Sequence, residues 1–404
     1  MRPWQPWARA LASVTAATTM AQLPVFLVGA AAPNIRRDLH FDSGQLGLVV
    51  SAFWMAMAVG GLLGARLANR VGAVATIYLG IGVAAVALLG LALAPSWAVL
   101  LLFATLGGLG SAVTTPAGDM ALFAVLPVNR LGFAYGVKQA SLPAASLLAG
   151  GGVPVLVLTV GWRWAFLAGL LLGLPALLLM PRDPTAKTTR ARTDEQSPGT
   201  RAGRLNDVVP VAVAVGLAMS GVSAMGAFYV ESAVNWGDSS RLAGTLLAVG
   251  GVCGISGRFL FSWRLGHLNR PYLLVAVLMG LGGVGAVAFA VHGQPIVLVA
   301  GTVIAFGAGW GWNGLLTQTV VASHPAATAR ASAYIMVGAA VGGVAGPTMF
   351  GVIVGHVGYT VAWLVCAGEF LAAAAVLALM CGTRKMDHNI EDLPVLQQRE
   401  EYST

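Results

Sequence analysis

The sequence predicts an all-α integral membrane fold, with twelve transmembrane helices arranged as two six-helix halves. Three observations carry this reading: composition, the length of the apolar runs, and one polar interruption near the middle of the chain. Of 404 residues, 57% are hydrophobic and 9% charged, and the mean hydropathy is +0.80. A soluble domain carries about 25% charged residues. So few charges cannot solvate a water-facing surface, which excludes a soluble enzyme and a disordered chain.

A transmembrane helix needs about 20 mostly apolar residues. Runs of that kind lie at 12–32, 45–65, 73–93, 97–126, 132–158, 164–181, 208–231, 241–261, 272–291, 295–322, 331–354 and 360–381. They are too long for strands and lack a period of two. Arg2 and Arg9 precede the first run as in a signal peptide, and Ala30-Ala31-Ala32 offers small residues for cleavage. The run of 21 residues exceeds the usual apolar core of about 7–15, so it reads as an uncleaved first span.

Basic residues set the expected orientation. With the N-terminus in the cytoplasm, 17 of the 23 Lys and Arg fall on the cytoplasmic side and 4 on the outer side. Lys138 and Arg258 remain within spans or near their ends. This bias predicts both termini inside a cytoplasmic (inner or plasma) membrane, and it accounts for the formal charge of +8 without nucleic acid. Cys253, Cys366 and Cys381 lie in apolar runs with no metal-binding spacing.

Residues 182–207 are polar, basic and rich in Thr, Pro and Gly, as in a flexible linker. They separate an N-terminal half, 1–181, from a C-terminal half, 208–381, with a cytoplasmic tail at 382–404. The halves share faint internal similarity. Ala134-Tyr135 opens span 5 and Ala333-Tyr334 opens span 11, an offset of 199 that also places Asp119 on Gln318.

The loop between spans 2 and 3 reads Ala65-Arg66-Leu67-Ala68-Asn69-Arg70-Val71-Gly72. Leu67, Ala68, Arg70 and Gly72 match the signature of the major facilitator superfamily, which the chain resembles over essentially its whole length. Asn69 replaces the signature acid, and Ala73-Val74 its basic pair. The second copy of the loop keeps Gly257-Arg258 but has Gly266-His267 where Asp-Arg is common. Gly136-Val137-Lys138-Gln139, Gly161-Trp162-Arg163-Trp164 and Gly309-Trp310-Gly311-Trp312-Asn313-Gly314 are similar to a bacterial subgroup of cyanate-type and related small-solute carriers. Gly108-Leu109-Gly110 is present, but Ala104 stands where drug/proton antiporters often carry Arg. The resemblance implies a secondary transporter working by alternating access, with a cavity between the halves near the midplane.

Charges within spans are expensive and mark candidate sites. Asp119 and Lys138 flank the loop between spans 4 and 5 at equal sequence distance, so an antiparallel hairpin sets them at similar depth. Two readings stand: a structural ion pair, or a site in which Lys138 binds an anionic solute and Asp119 releases and recaptures it. Gln139 follows directly. In span 10, Trp310, Asn313 and Thr317 share a face, with Trp312 and Gln318 beside them, as packing residues or as an aromatic-amide cavity wall. Gln22 shares a face of span 1 with Thr15 and Thr18. Arg70, Glu231 and Arg258 complete the candidates for coupling or gating: Glu231 as an interfacial acid, a proton site or an outer gate, Arg258 also as a side chain snorkelling to the interface. Glu369 in span 12 has no account at this level. Glycines repeat every four residues at Gly60/Gly64, Gly250/Gly254 and Gly338/Gly342/Gly346, spacing that permits close helix approach and predicts sliding faces for a rocking motion.

Other classes find less support. Lys138, Lys187 and Lys385 follow Val, Ala and Arg, so no phosphate-binding G-K-[ST] loop exists. Gly254-Ile255-Ser256-Gly257 matches a short intramembrane protease motif, yet all six His fall in loops, span ends or the tail. A sensor on a transporter fold would need an appended signalling domain. The expectation is therefore a non-enzymatic carrier, a functional monomer importing a small polar or anionic solute, with protons as a possible coupling ion. Export of small organic or lipophilic compounds is the alternative. No metal, haem or nucleotide cofactor is indicated.

Overall fold

The computed structural model describes residues 6–126, 128–180, 208–264, 270–291, 294–323 and 328–382. The predicted linker, 182–207, and tail lie outside these, apart from Gly382. The described elements are helices: α1 (Pro6–Ala30), α2 (Ala32–Leu39), α3 (Ser43–Val71), α4 (Ala73–Ala92), α5 (Trp97–Val125), α6 (Val128–Gln139), α7 (Ser141–Gly152), α8 (Trp162–Gly169), α9 (Gly173–Leu178), α10 (Val208–Asn235), α11 (Ser240–Arg264), α12 (Pro271–Ala290), α13 (Pro295–Ser323), α14 (Thr328–Val357) and α15 (Tyr359–Gly382). Eleven apolar helical stretches among them are long enough to cross a membrane. The chain is a multi-pass membrane protein.

The predicted sixth span, 164–181, is the exception. Trp162–Leu178 is a shorter apolar segment of 17 residues, divided by a tight turn at Leu170–Leu172. Pro175 has no N–H to return to the carbonyl four residues back, so the helix tightens where that bond is missing. Pro154 has a related effect at the end of α7, where the N–H of Leu158 reaches back five residues to Val153 O at 3.1 Å.

Helices alternate between two ends. We call the end where α1 and α10 begin the base, and the end bearing Asp42 and Glu231 the cap. Within the first half α5 packs on α1, α3 and α4; within the second half α12 packs on α13 and α15, and α10 on α14. The halves meet along three helix pairs: α1 with α10, α3 with α14, and α7 with α11. Each meeting uses glycine. A Cβ on Gly29 would strike the backbone of Gly226 and Ala227, one on Gly47 the carbonyl of Pro347, and one on Gly251 the backbone of Pro143 and Leu147. Lipid offers no hydrophobic drive between helices, so such backbone approach supplies the dispersion contact that holds them.

The repeating glycines correct one expectation. Gly338, Gly342 and Gly346 face Ala212, Gly216 and Ser220 of α10 in their own half, and Gly60 and Gly64 face α5 in theirs. These seams lie inside a half. Close approaches between the halves include those at Gly29, Gly47 and Gly251 and, from the third repeat, Gly254, where a Cβ would meet Pro143 Cβ at 3.1 Å, while Gly250 of that repeat faces Phe306 in its own half.

Candidate functional site

The site begins with a proline. In an unbroken helix the N–H of residue 143 would bond Gln139 O. Pro143 has none, so the helix breaks at Ala140 and the Gln139 carbonyl is left free between α6 and α7. Arg258 of α11 donates to it through one amino group, across the two halves. Its Nε donates to Trp310 O of α13 at 3.1 Å. Arg258 is 8% exposed, and among the described residues no carboxylate pairs with it. The snorkelling alternative therefore fails: the guanidinium turns inward to backbone carbonyls.

One residue before that carbonyl, Lys138 is buried. Its Nζ donates to Asp119 Oδ1 at 2.5 Å and to Thr115 O at 2.9 Å, both on α5. The Lys138 side chain is 5% exposed and that of Asp119 31%, so one end of this pair is sealed and the other is open. Lys138 lies beside Gly118, where an added Cβ would also meet Val14 and Thr18 of α1.

Gln22 of α1 donates through Nε2 to Ser111 Oγ of α5 at 2.9 Å, while its Oε1 is buried without a partner. Trp310 stands at the meeting of the halves, with its ring 5.7 Å from Phe26 of α1 and 4.8 Å from Phe306. The indole N–H groups of Trp310 and Trp312 are buried and unpartnered. Asn313 is half-buried; Thr317 and Gln318 are exposed toward the base, and Thr317 bonds back to Asn313 O. The span 10 face thus runs from a buried indole to exposed polar groups. The Gln139 side chain is exposed. A cavity of about 10 Å³, lined by Val25, Phe26, Trp54 and Val222 among others, is room for about one water.

At the cap, Arg36 of α2 pairs with Glu231 of α10, joining the halves. Arg36 also donates to Phe41 O at 2.9 Å and Ser43 Oγ at 3.1 Å. Glu231 is buried, so the picture of a shallow interfacial acid gives way to that of a clasp. Arg36 is one of the four cations that the sequence places on the outer side, and its pairing with Glu231 is not read there. Arg70 is exposed at the base and has no described ion pair.

Near the base the halves part on one side. From 332 to 341, α14 has no fully buried residue, although ten consecutive residues cover every face of a helix, whereas Gly342 and Gly343 are buried. Contacts from α3 to α14 run from Ser43 near Gly351 to Trp54 near Gly343. Beyond that point toward the base, α14 stands clear.

The family model described as Major Facilitator Superfamily matches residues 14–347. The chain is 29% identical over 178 residues to a tetracenomycin C resistance and export protein of Streptomyces glaucescens, covering 43% of this chain and 32% of that one. It is also 29% identical over 140 residues to a probable sulfoacetate transporter of Cupriavidus necator, covering 35% of this chain and 33% of that protein. The chain spans about a third of the length of these curated relatives. Among solved structures, a D-xylose–proton symporter superposes with a TM-score of 0.73 at 16% identity, covering 92% of this chain and 97% of that one.

Proposed function

We infer the activity from one premise: the chain belongs to the Major Facilitator Superfamily. We propose a secondary transporter of a small anionic solute, working by alternating access in the cytoplasmic membrane with both termini inside. One observation carries the choice of solute. Lys138 and Arg258 are two buried cations at the contact between the halves, and Asp119 is their one carboxylate neighbour among the described residues. Buried charge is stable when paired. The excess positive charge is matched by an anion entering from the open base beside Asp119, Gln139, Thr317 and Gln318. Trp310 Nε1 and Gln22 Oε1 are unused polar atoms available to its remaining groups.

In this cycle the anion takes Lys138 from Asp119 and draws Arg258 off the Gln139 carbonyl. The tie between α6 and α11 then loosens as the cap clasp, Arg36–Glu231, opens. Arg70 takes part in gating at the base. The sulfoacetate carrier among the relatives transports an anion of this class by its name, and the tetracenomycin exporter motivates the competing reading.

The test is flux into proteoliposomes with sulfoacetate, a hexuronate and tetracenomycin, paired with thermal stabilisation of the purified protein, since a bound ligand stabilises the native state by mass action. The expected result is stabilisation and uptake with the anions, lost in Lys138→Ala and Arg258→Gln. Stabilisation by tetracenomycin alone, unchanged in both variants, would overturn the anion reading and favour export.

A further inference from the structure

Glu369 lies in the middle of α15, away from the contact between the halves. Its Oε1 accepts a hydrogen bond from Ser220 Oγ of α10 at 2.8 Å. Ser220 is buried, and its backbone is the surface against which Gly342 and Gly346 of α14 close. Ser223 Oγ donates to the Ser220 carbonyl at 3.0 Å. One carboxyl therefore reaches the residue on which three helices converge.

No cation faces it among the described residues. The helices packed on α15 are α10, α12 and α14. Between Val208 and Glu231, α10 carries one titratable side chain, Tyr229, nine residues nearer the cap and bonded to Thr302. Tyr272 of α12 lies at the base. On α14, Arg330 and Tyr334 lie toward the base and His356 at the cap. On α15 itself, Cys366 is the neighbouring titratable group. A carboxylate at mid-membrane with a single neutral donor carries the full cost of intramembrane charge, and taking up a proton removes it. Asp119 and Glu231 avoid that cost through Lys138 and Arg36.

We propose that Glu369 is a proton-binding site, and that its proton sets the packing of α10 on α14 through Ser220. It rests on the transport reading only for its place in a working cycle. With the proton bound, the neutral acid keeps its Ser220 bond and the seam at Gly342 and Gly346 stays closed. On proton loss the carboxylate draws harder on Ser220, its one described donor, and α10 shifts against α14. Because α10 and α14 also carry contacts to α1 and α3, the shift reaches the contact between the halves.

The experiment uses the full chain in lipid nanodiscs without solute. Infrared spectra over a pH series should show a protonated carboxylic acid band that is lost in Glu369→Gln. In Ser220→Ala, which leaves the carboxyl in place, the band should titrate at a displaced pH. Spin labels at Arg66 and Tyr334, both exposed toward the base, should report a distance that shifts with pH in the otherwise native protein and stays at its low-pH value in Glu369→Gln. An unchanged band in Glu369→Gln overturns the proton site. A distance that shifts with pH as before in Glu369→Gln overturns the link to packing. Should Glu369→Gln fail to fold, an unmoved titration in Ser220→Ala overturns the proposal. None of these readings needs a transported anion, so absence of anion flux would count against the transport reading alone.

Discussion

Removing either member of the Lys138–Asp119 pair should destabilise the protein unequally. Breaking a buried pair by deleting one partner costs about 3–5 kcal/mol, because the survivor is left charged and unsolvated. Asp119→Asn strands Lys138, whose side chain is 5% exposed, so its cost should fall in that range. Lys138→Met strands Asp119, at 31% exposure, where water solvates the carboxylate and the cost falls to ~1–2 kcal/mol. A gap of ~2 kcal/mol is about 30-fold in the unfolding equilibrium. Lys138→Met/Asp119→Asn should recover most of the loss, as a double-mutant cycle of two contacting groups requires. The assay is detergent-driven unfolding of the four proteins in bicelles. A Lys138→Met loss equal to or above that of Asp119→Asn would refute the reasoning, as would a double variant no better than Asp119→Asn. Flux then separates the two sequence readings of the pair: a double variant that is folded but dead toward anions makes it a site, and one that still transports makes it structural.

Two further predictions come from the helix contacts. Gly342→Leu places a side chain against Gly216 O and Ser220 N, backbone atoms that cannot yield, so it should cost about 3 kcal/mol and lower the yield of monodisperse protein. Val341→Leu, at a position 62% exposed, should not; equal yields would show that the α10–α14 seam is looser than described. Glu231→Gln removes the charge from the cap clasp while Arg36 keeps Phe41 O and Ser43. Spin labels across the cap should then report about a tenfold rise in the open population, equivalent to ~1.4 kcal/mol, and an unaltered distribution would mean that glycine packing alone holds the cap shut.

The sequence displays most of the architecture because membrane burial writes itself in run length. What it displays of the site depends on sequence distance. Asp119 and Lys138 are legible together because a short loop sets them at equal depth. Arg36 and Glu231 are not legible as a pair, since they lie on different halves: Glu231 is marked only as an acid at the end of a span, and nothing local marks Arg36. Glycine spacing announces close approach without naming the neighbour. Gly338, Gly342 and Gly346 thus read as a face between the halves when they close on α10 of their own half, while Gly254 does meet the other half, beside contacts at Gly29, Gly47 and Gly251 that belong to none of the repeats. Pro143 had a readable signal, a missing N–H three residues past the break, but its consequence for Arg258 needs the partner helix.

The two long contacts between the halves are related by the internal repeat, yet their polar ties lie at different depths. The offset of 199 carries Arg258 to Val59 and Gln139 to Gly338. Val59 is 65% exposed and offers no donor, and Gly338 packs on Ala212 of α10 in its own half. The molecule resembles a book whose two covers share one spine and whose hasps sit near opposite ends of its two edges. Along α3 and α14 the tie is Ser51, whose Oγ donates to Val344 O at 2.6 Å and accepts from Thr348 Oγ1 at 2.8 Å near the cap, while α6 and α11 are tied nearer the base by Arg258 on the Gln139 carbonyl. On the transport reading, opening at the base of such a body is lopsided: the edge tied only near the cap admits water and solute first, and the edge held by Arg258 decides when the passage is complete.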